Sequence, residues 1–207
     1  TATKKTWLSR CPEAFGTVTL KLHEPKRSTA MDNRNFYSMP APWGGIVLRE
    51  ENGELASICP TIASIQAPSP APLAIADAMQ QLEAVLTVPQ ATSEELRETL
   101  FATQVFRKLP DFTRRVLDIV SRIEPGQWMS YSQVAQATGN PAAARAVGQA
   151  LANTPFPILI GCHRVCASAQ LARFDILKPE TFRPQAYLGA PELAAVAQWL
   201  RLADFSL

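Results

Sequence analysis

The sequence predicts an α+β protein: a small N-terminal strand-containing domain followed by a helical C-terminal domain with a helix-turn-helix. Three observations lead there. The first hundred residues alternate short apolar pieces with turn signals. A Pro/Ser-rich stretch, QAPSPAP at 66–72, interrupts them. The second half carries apolar residues at helical spacing, punctuated by Pro-Gly and Gly-Asn-Pro. The expected division is 1–90, a strand-rich domain with a closing helix, and 91–207.

Phe15–Leu22 (FGTVTLKL) and Gly45–Leu48 (GIVL) have strand composition. Asn52-Gly53 is a hairpin turn between Ile46–Arg49 and Leu55–Cys59. Residues 25–44, polar and ending in prolines, are expected to form a long loop. Leu73–Leu86 places Ile75, Met79, Leu82 and Leu86 on one helical face. Val88–Ser93 is a second connector. Asp111 is placed to cap a helix bearing Phe112, Val116, Leu117, Val120 and Ile123, which Pro125-Gly126 stops. Ser130–Gln133 fits a capping box. The helix it starts ends at Gly139, and Asn140 can cap the next with Pro141 at its first position. Residues 141–152, PAAARAVGQALA, have mostly small side chains and one cation, Arg145. Two short helices joined by a tight Gly-containing turn make a helix-turn-helix pattern. Small side chains let such a helix approach a neighbouring helix or a nucleic-acid groove closely. Ile158–Ile160 then has the composition of a buried strand.

Hydrophobic residues make up 47% of the 207-residue chain, enough for a real core. No apolar run reaches membrane-spanning length, and TATKKTWLSR lacks the apolar core of a signal peptide. A soluble intracellular protein without a membrane partner is therefore expected. Four scattered cysteines exclude a disulfide scaffold, and no C-x-x-C or H-x-x-x-H spacing supports a metal site. The net charge of +2 is uneven: residues 1–100 balance at −2 and 101–207 at +4. The 50 residues from Pro125 to Phe174 hold no acid. Such a stretch suits a polyanion, because nothing in it repels phosphate, but apolar core segments also lack charge.

Cys162, His163 and Arg164 follow Gly161 directly. A cysteine attacks as a thiolate, which a neighbouring base or cation must stabilise. Gly161 permits a bend that could bring His163 to Cys162 directly or through a water, and Arg164 adds positive potential. On its own the triplet also fits a buried small residue beside a surface histidine.

The surrounding order decides between these readings. FTRRVL, PGQ, SYSQVA, GNPAAARAVGQAL, a Pro-containing loop, ILI and CHRV follow one another over residues 105–168. This series closely resembles the C-terminal domain of the O6-alkylguanine-DNA alkyltransferases. The first 100 residues resemble that family only in plan.

The resemblance implies a DNA repair protein that moves an alkyl group from O6-alkylguanine in duplex DNA onto its own cysteine, Cys162, irreversibly and once. It implies that His163 deprotonates the thiol through a water and that Tyr131 donates to the guanine ring. The main-chain carbonyls of Cys162 and Val165 would read the exocyclic amine. The alkylated base must leave the stack, and Arg145 matches the family arginine that fills the gap. The helix-turn-helix would enter the minor groove, where Ala142–Ala144 and Gly148 suit a narrow space. Thr113, Ser132, Asn140 and Ser168 match positions near the DNA backbone. The chemistry needs no cofactor or metal, and a monomer is expected.

Four departures surround the substrate pocket. Gly161 stands where the family has Pro. Thr154 precedes Pro155 where the family has Asn, with Asn153 one residue early. The family's glycine-rich loop over the alkyl group is replaced by a segment without Gly until Gly189, so Phe174 or Tyr187 is expected to build the pocket. The family histidine is oriented by a glutamate, for which Glu192 is the nearest candidate. A non-repair relative that senses alkylated or ordinary duplex and recruits a partner is the alternative. A small-molecule cysteine hydrolase or redox protein, without DNA affinity, is the third.

Overall fold

The computed structural model describes residues 36–88, 92–171, 188 and 191–204. Asn35–Leu207 forms one compact unit. The strand expected at Phe15–Leu22 and the boundary expected at residue 90 lie outside the described residues.

Strands β1 (Phe36–Ala41), β2 (Gly44–Glu51) and β3 (Glu54–Thr61) form an antiparallel sheet in the order β1-β2-β3. The Asn52-Gly53 hairpin forms as expected. Both residues take positive φ, 56° and 80°, the geometry whose twist matches that of the flanking strands. The expected loop over 25–44 is corrected at its end, where 36–41 is a strand. Among the described residues β1 pairs with β2 alone, and an edge position tolerates Pro40. Met39, Ile46, Leu48, Leu55 and Ile58 are buried from the sheet. Helix α1 (Leu73–Thr87) buries Ile75, Ala78, Leu82, Val85 and Leu86, while Met79 is only half-buried at the edge of that face.

Helices α2 (Glu94–Ala102) and α3 (Gln104–Arg107) start at Ser93 and Thr103, each accepting from a backbone N–H of its own first turn. In α4 (Asp111–Ser121), Pro110 holds the cap position, so Asp111 is the first helical residue. There it pairs with Arg114 instead of capping. Val116, Leu117 and Val120 are fully buried.

The Ser130 capping box is present, with Ser130 Oγ accepting from Gln133 N at 3.1 Å and Gln133 Oε1 accepting from Ser130 N at 2.7 Å. It starts α5 (Tyr131–Ala137). Asn140 opens a 3-10 turn, Pro141–Ala143, without a side-chain cap bond, and α6 (Ala144–Ala152) follows. The expected single helix from Pro141 is thus split.

Ile158–Ile160 is not a strand. Pro155 and Pro157 remove two ladder donors, and Ile158 takes a φ of 72°. The segment closes instead through turn bonds, Ile160 N to Phe156 O and Gly161 N to Ile158 O at 3.1 and 3.2 Å. It is also tied down from the first half of the chain. Ile58 N donates to Pro155 O at 2.8 Å, and the Thr92 hydroxyl donates to Leu159 O. A left-handed β-branched residue is costly and persists only where its surroundings hold it.

Cys162–Arg164 forms a 3-10 turn that runs into β5 (Val165–Cys166). Strand β5 pairs in parallel with β4 (Met129–Ser130), setting Met129 against Val165 and Ser130 against Cys166. Helix α7 (Ser168–Leu171), a 3-10 turn (Pro191–Leu193) and α8 (Ala194–Asp204) complete the described residues.

Candidate active site on a buried Cys-His-Arg turn

The turn at Cys162 depends on the residue before it. Gly161 has a φ of 71°, a left-handed conformation that a proline ring, fixed near −65°, cannot adopt. A Cβ on Gly161 would also lie 3.0 Å from Arg164 Nη1. Glycine therefore does not loosen the approach to Cys162. It allows one specific turn, packed under the Arg164 guanidinium.

Cys162, His163, Arg164 and Val165 are all buried. A carboxylate anchors the turn. Asp204, the last residue of α8, accepts from Arg164 Nε at 2.8 Å and from Arg164 Nη2 at 3.0 Å. Its Oδ2 also lies 3.4 Å from His163 Nε2. Arg164 Nη1 donates to Ile123 O at 3.0 Å, which ties the turn to the residues after α4. The positive potential expected of Arg164 is largely spent on Asp204.

With Nε2 beside Asp204, Nδ1 is the ring nitrogen left to exchange a proton. It is buried and has no hydrogen-bond partner among the described residues. Burial pushes His163 down to about 4 and Arg164 and Arg201 add to this, while Asp204 opposes it. His163 is therefore neutral at pH 7 and can accept a proton. Burial alone would raise Asp204, but the hydrogen bonds from His163 and Arg164 outweigh it and hold the acid down at about 2.

The β4–β5 pairing brings Tyr131, at the start of α5, beside this turn. Burial raises the Tyr131 hydroxyl above its usual range; Arg201 opposes this and the two cysteines, Cys166 and Cys162, add to it. The phenol stays protonated and can donate. An ideal Cβ on Gly148 would lie 3.9 Å from the Tyr131 ring, so this glycine borders the ring as well as the helix surface.

Ser132 on α5, Asn140 in the turn between the helices and Arg145 on α6 are exposed, as is Ser168 beyond β5. Thr113, Ala144 and Gly148 are half-buried. Asn153 Nδ2 donates to Gln149 O of α6 at 2.8 Å. Thr154 is buried and its hydroxyl has no hydrogen-bond partner among the described residues. Both residues thus bond the end of α6 locally, Asn153 through its side chain and Thr154 through its N–H to Leu151 O at 3.3 Å. Val165 O, expected to read a base amine, already accepts from Arg201 Nη2 at 3.1 Å. Phe174 and Tyr187 lie outside the described residues. Glu192 sits in the 3-10 turn before α8, and the carboxylate beside His163 is Asp204.

Sequence reasoning missed Asp204 and Arg201. A signal was available. Val196, Ala197 and Leu200 mark the buried face of α8, and Arg201 and Asp204 continue it at helical spacing. Charged residues on an apolar stripe demand partners.

The family model described as "6-O-methylguanine DNA methyltransferase, DNA binding domain" matches residues 111–182, the segment that holds α4, the helix-turn-helix and the Cys162 turn. Over that segment the chain is similar to this DNA-binding domain family. Among curated relatives, the methylated-DNA–protein-cysteine methyltransferase of Cricetulus griseus is 39% identical over 110 residues, 52% of this chain and 52% of that protein. The Homo sapiens protein of the same name is 36% identical over 119 residues, 54% and 56% of the two chains. The chain thus spans about half the length of the curated relatives it matches. Two solved methyltransferases share the fold. The Mycobacterium tuberculosis O6-methylguanine methyltransferase has a TM-score of 0.57 at 22% identity, covering 82% of this chain and 91% of that one. The Pyrococcus kodakaraensis O6-methylguanine-DNA methyltransferase has a TM-score of 0.52 at 16% identity, covering 82% and 97%. The structural likeness reaches back over the sheet half, where the sequence resemblance was one of plan only.

Proposed function

We propose that this protein takes the alkyl group of O6-alkylguanine in duplex DNA onto Cys162. One observation carries the reading: within a methyltransferase DNA-binding domain, Cys162 is followed by a neutral buried histidine whose far nitrogen faces Asp204. The Cys162 proton passes to His163 Nδ1, and the thiolate attacks the alkyl carbon. The S–C bond forms as the C–O6 bond breaks, and the electron pair stays on the guanine. Tyr131 donates to the ring and eases its departure. A thioether is a poor leaving group, so each molecule reacts once. Arg145, exposed on α6, fills the gap left by the flipped base. Ser132, Asn140, Thr113 and Ser168 lie along the DNA backbone, with α6 in the minor groove. The protein acts as a monomer.

Intact-protein mass spectrometry after mixing with duplex carrying O6-methylguanine, followed by peptide mapping, tests this. A gain of one methylene on the Cys162 peptide is expected. No gain, with tight duplex binding in a mobility shift, would favour a DNA-binding relative that recruits a partner. Neither gain nor binding would point to a small-molecule thiol protein.

A further inference from the structure

Arg201 is buried, 7% exposed, on the face of α8 that also holds Val196, Ala197 and Leu200. Its guanidinium works as a fork. Nε donates to His163 O at 2.6 Å and Nη2 donates to Val165 O at 3.1 Å. The guanidinium carbon lies 5.3 Å from the Trp128 ring centroid, in the range of a cation–π contact. Burying a guanidinium carries a large desolvation cost, and a well-packed apolar side chain of similar size commonly serves stability as well or better. Folding alone therefore gives a weak reason for an arginine here.

Its placement gives a better one. Arg201 and Asp204, three apart on α8, divide the turn between them. Asp204 holds the side chains of His163 and Arg164, and Arg201 holds the carbonyls on either side of Arg164. The peptide plane after His163 and the carbonyl of Val165 are both fixed by one rigid group. The arginine charge also reaches the site, where it lowers Cys166 and Tyr131 against their burial and adds to the depression of His163.

We propose that Arg201 is a positioning residue for the reaction of Cys162. Its fork locks the turn that carries the nucleophile and its base, and its charge adds to the burial that keeps the base neutral. The proposal rests on the alkyl-transfer reading for its biological setting, but the reactivity of Cys162 can be measured without DNA. The charged groups that bear on His163 are Asp204 and Arg201 from α8 and Arg164 from its own turn. Removing Arg201 takes away one of the cations that depress His163 and frees the two carbonyls that it holds.

The test compares wild type with Arg201→Met and Arg201→Lys in the full chain. The rate of Cys162 alkylation by iodoacetamide is followed by mass spectrometry across pH, beside transfer from O6-methylguanine duplex and thermal melting. Arg201→Met should slow alkylation at neutral pH about 10- to 100-fold and move the acidic limb of its profile upward. Arg201→Lys keeps a charge but cannot bridge two carbonyls, so it should restore the profile in part and the rate less. A folded Arg201→Met with wild-type rate and profile would overturn the proposal. If that variant does not fold, a wild-type rate and profile for Arg201→Lys would overturn it equally. A wild type that alkylates readily but gains nothing from the duplex would sink the repair reading and leave the role of Arg201 to be decided by the iodoacetamide profiles.

Discussion

The helix-turn-helix and the Cys162 turn belong to one domain and follow opposite rules. In the first, the distinctive residues are exposed: Ser132, Asn140 and Arg145 face solvent, and the buried residues of α5 and α6, Val134, Ala135, Val147, Ala150 and Leu151, are apolar. In the second, the distinctive residues are buried, with His163 at 2% exposure and Asp204 at 4%. An exposed charge costs the fold little and is free to meet a polyanion. A buried charge must be fully partnered or it destabilises the chain. Binding and reactivity are thus written into different environments, and perturbing each should give different signatures.

The largest expected contrast comes from Cys162→Ala. It should abolish transfer, read by mass spectrometry, while duplex affinity in a mobility shift stays near wild type. Asp204→Ala should follow, because it leaves Arg164 buried without its carboxylate. A loss of about 3–5 kcal/mol in urea denaturation is expected, and a loss below about 1 kcal/mol would mean that the turn is held by other contacts.

Acid should strain the same region. An unfolded histidine titrates near about 6.5, whereas His163 in the fold is pushed down to about 4. Between those values the unfolded chain binds the extra proton, so stability is intact above the window and falls as pH drops through it. The full effect is about 3 kcal/mol. Asp204, held down at about 2, extends the loss to lower pH. Melting curves from pH 7 to pH 4 measure it, and His163→Gln should flatten the slope.

Arg145→Ala acts on the exposed side. It should leave the melting temperature unchanged and weaken transfer from duplex by about 1–3 kcal/mol, with little effect on reaction with the free base. Equal losses on both substrates would remove Arg145 from the role of gap filler. The smallest effect is expected from Gly161→Ala, about 1–2 kcal/mol from the left-handed backbone, with Arg164 Nη1 forced to shift. Gly161→Pro should be worse, since no relaxation of Arg164 can give proline a φ of 71°.

What the sequence alone determined is local in origin. The hairpin at Asn52-Gly53 and the capping box at Ser130 arise within a few residues and emerged as expected; the periodic faces of α1 and α4 emerged in the main, with Met79 and Phe112 only half-buried and Ile123 beyond the end of α4. The Cys-His-Arg motif was legible because its members are adjacent. Tertiary structure decided what adjacency could not. Ile158–Ile160 has strand composition, yet two prolines and contacts from Ile58 and Thr92 hold it as turns. Asp204 meets Arg164 from 40 residues away, and Arg201 meets His163 from 38. No local pattern fixes which acid of a chain will be folded against which base. That choice is made when α8 packs on the turn, because only there does each buried charge find a partner able to replace water.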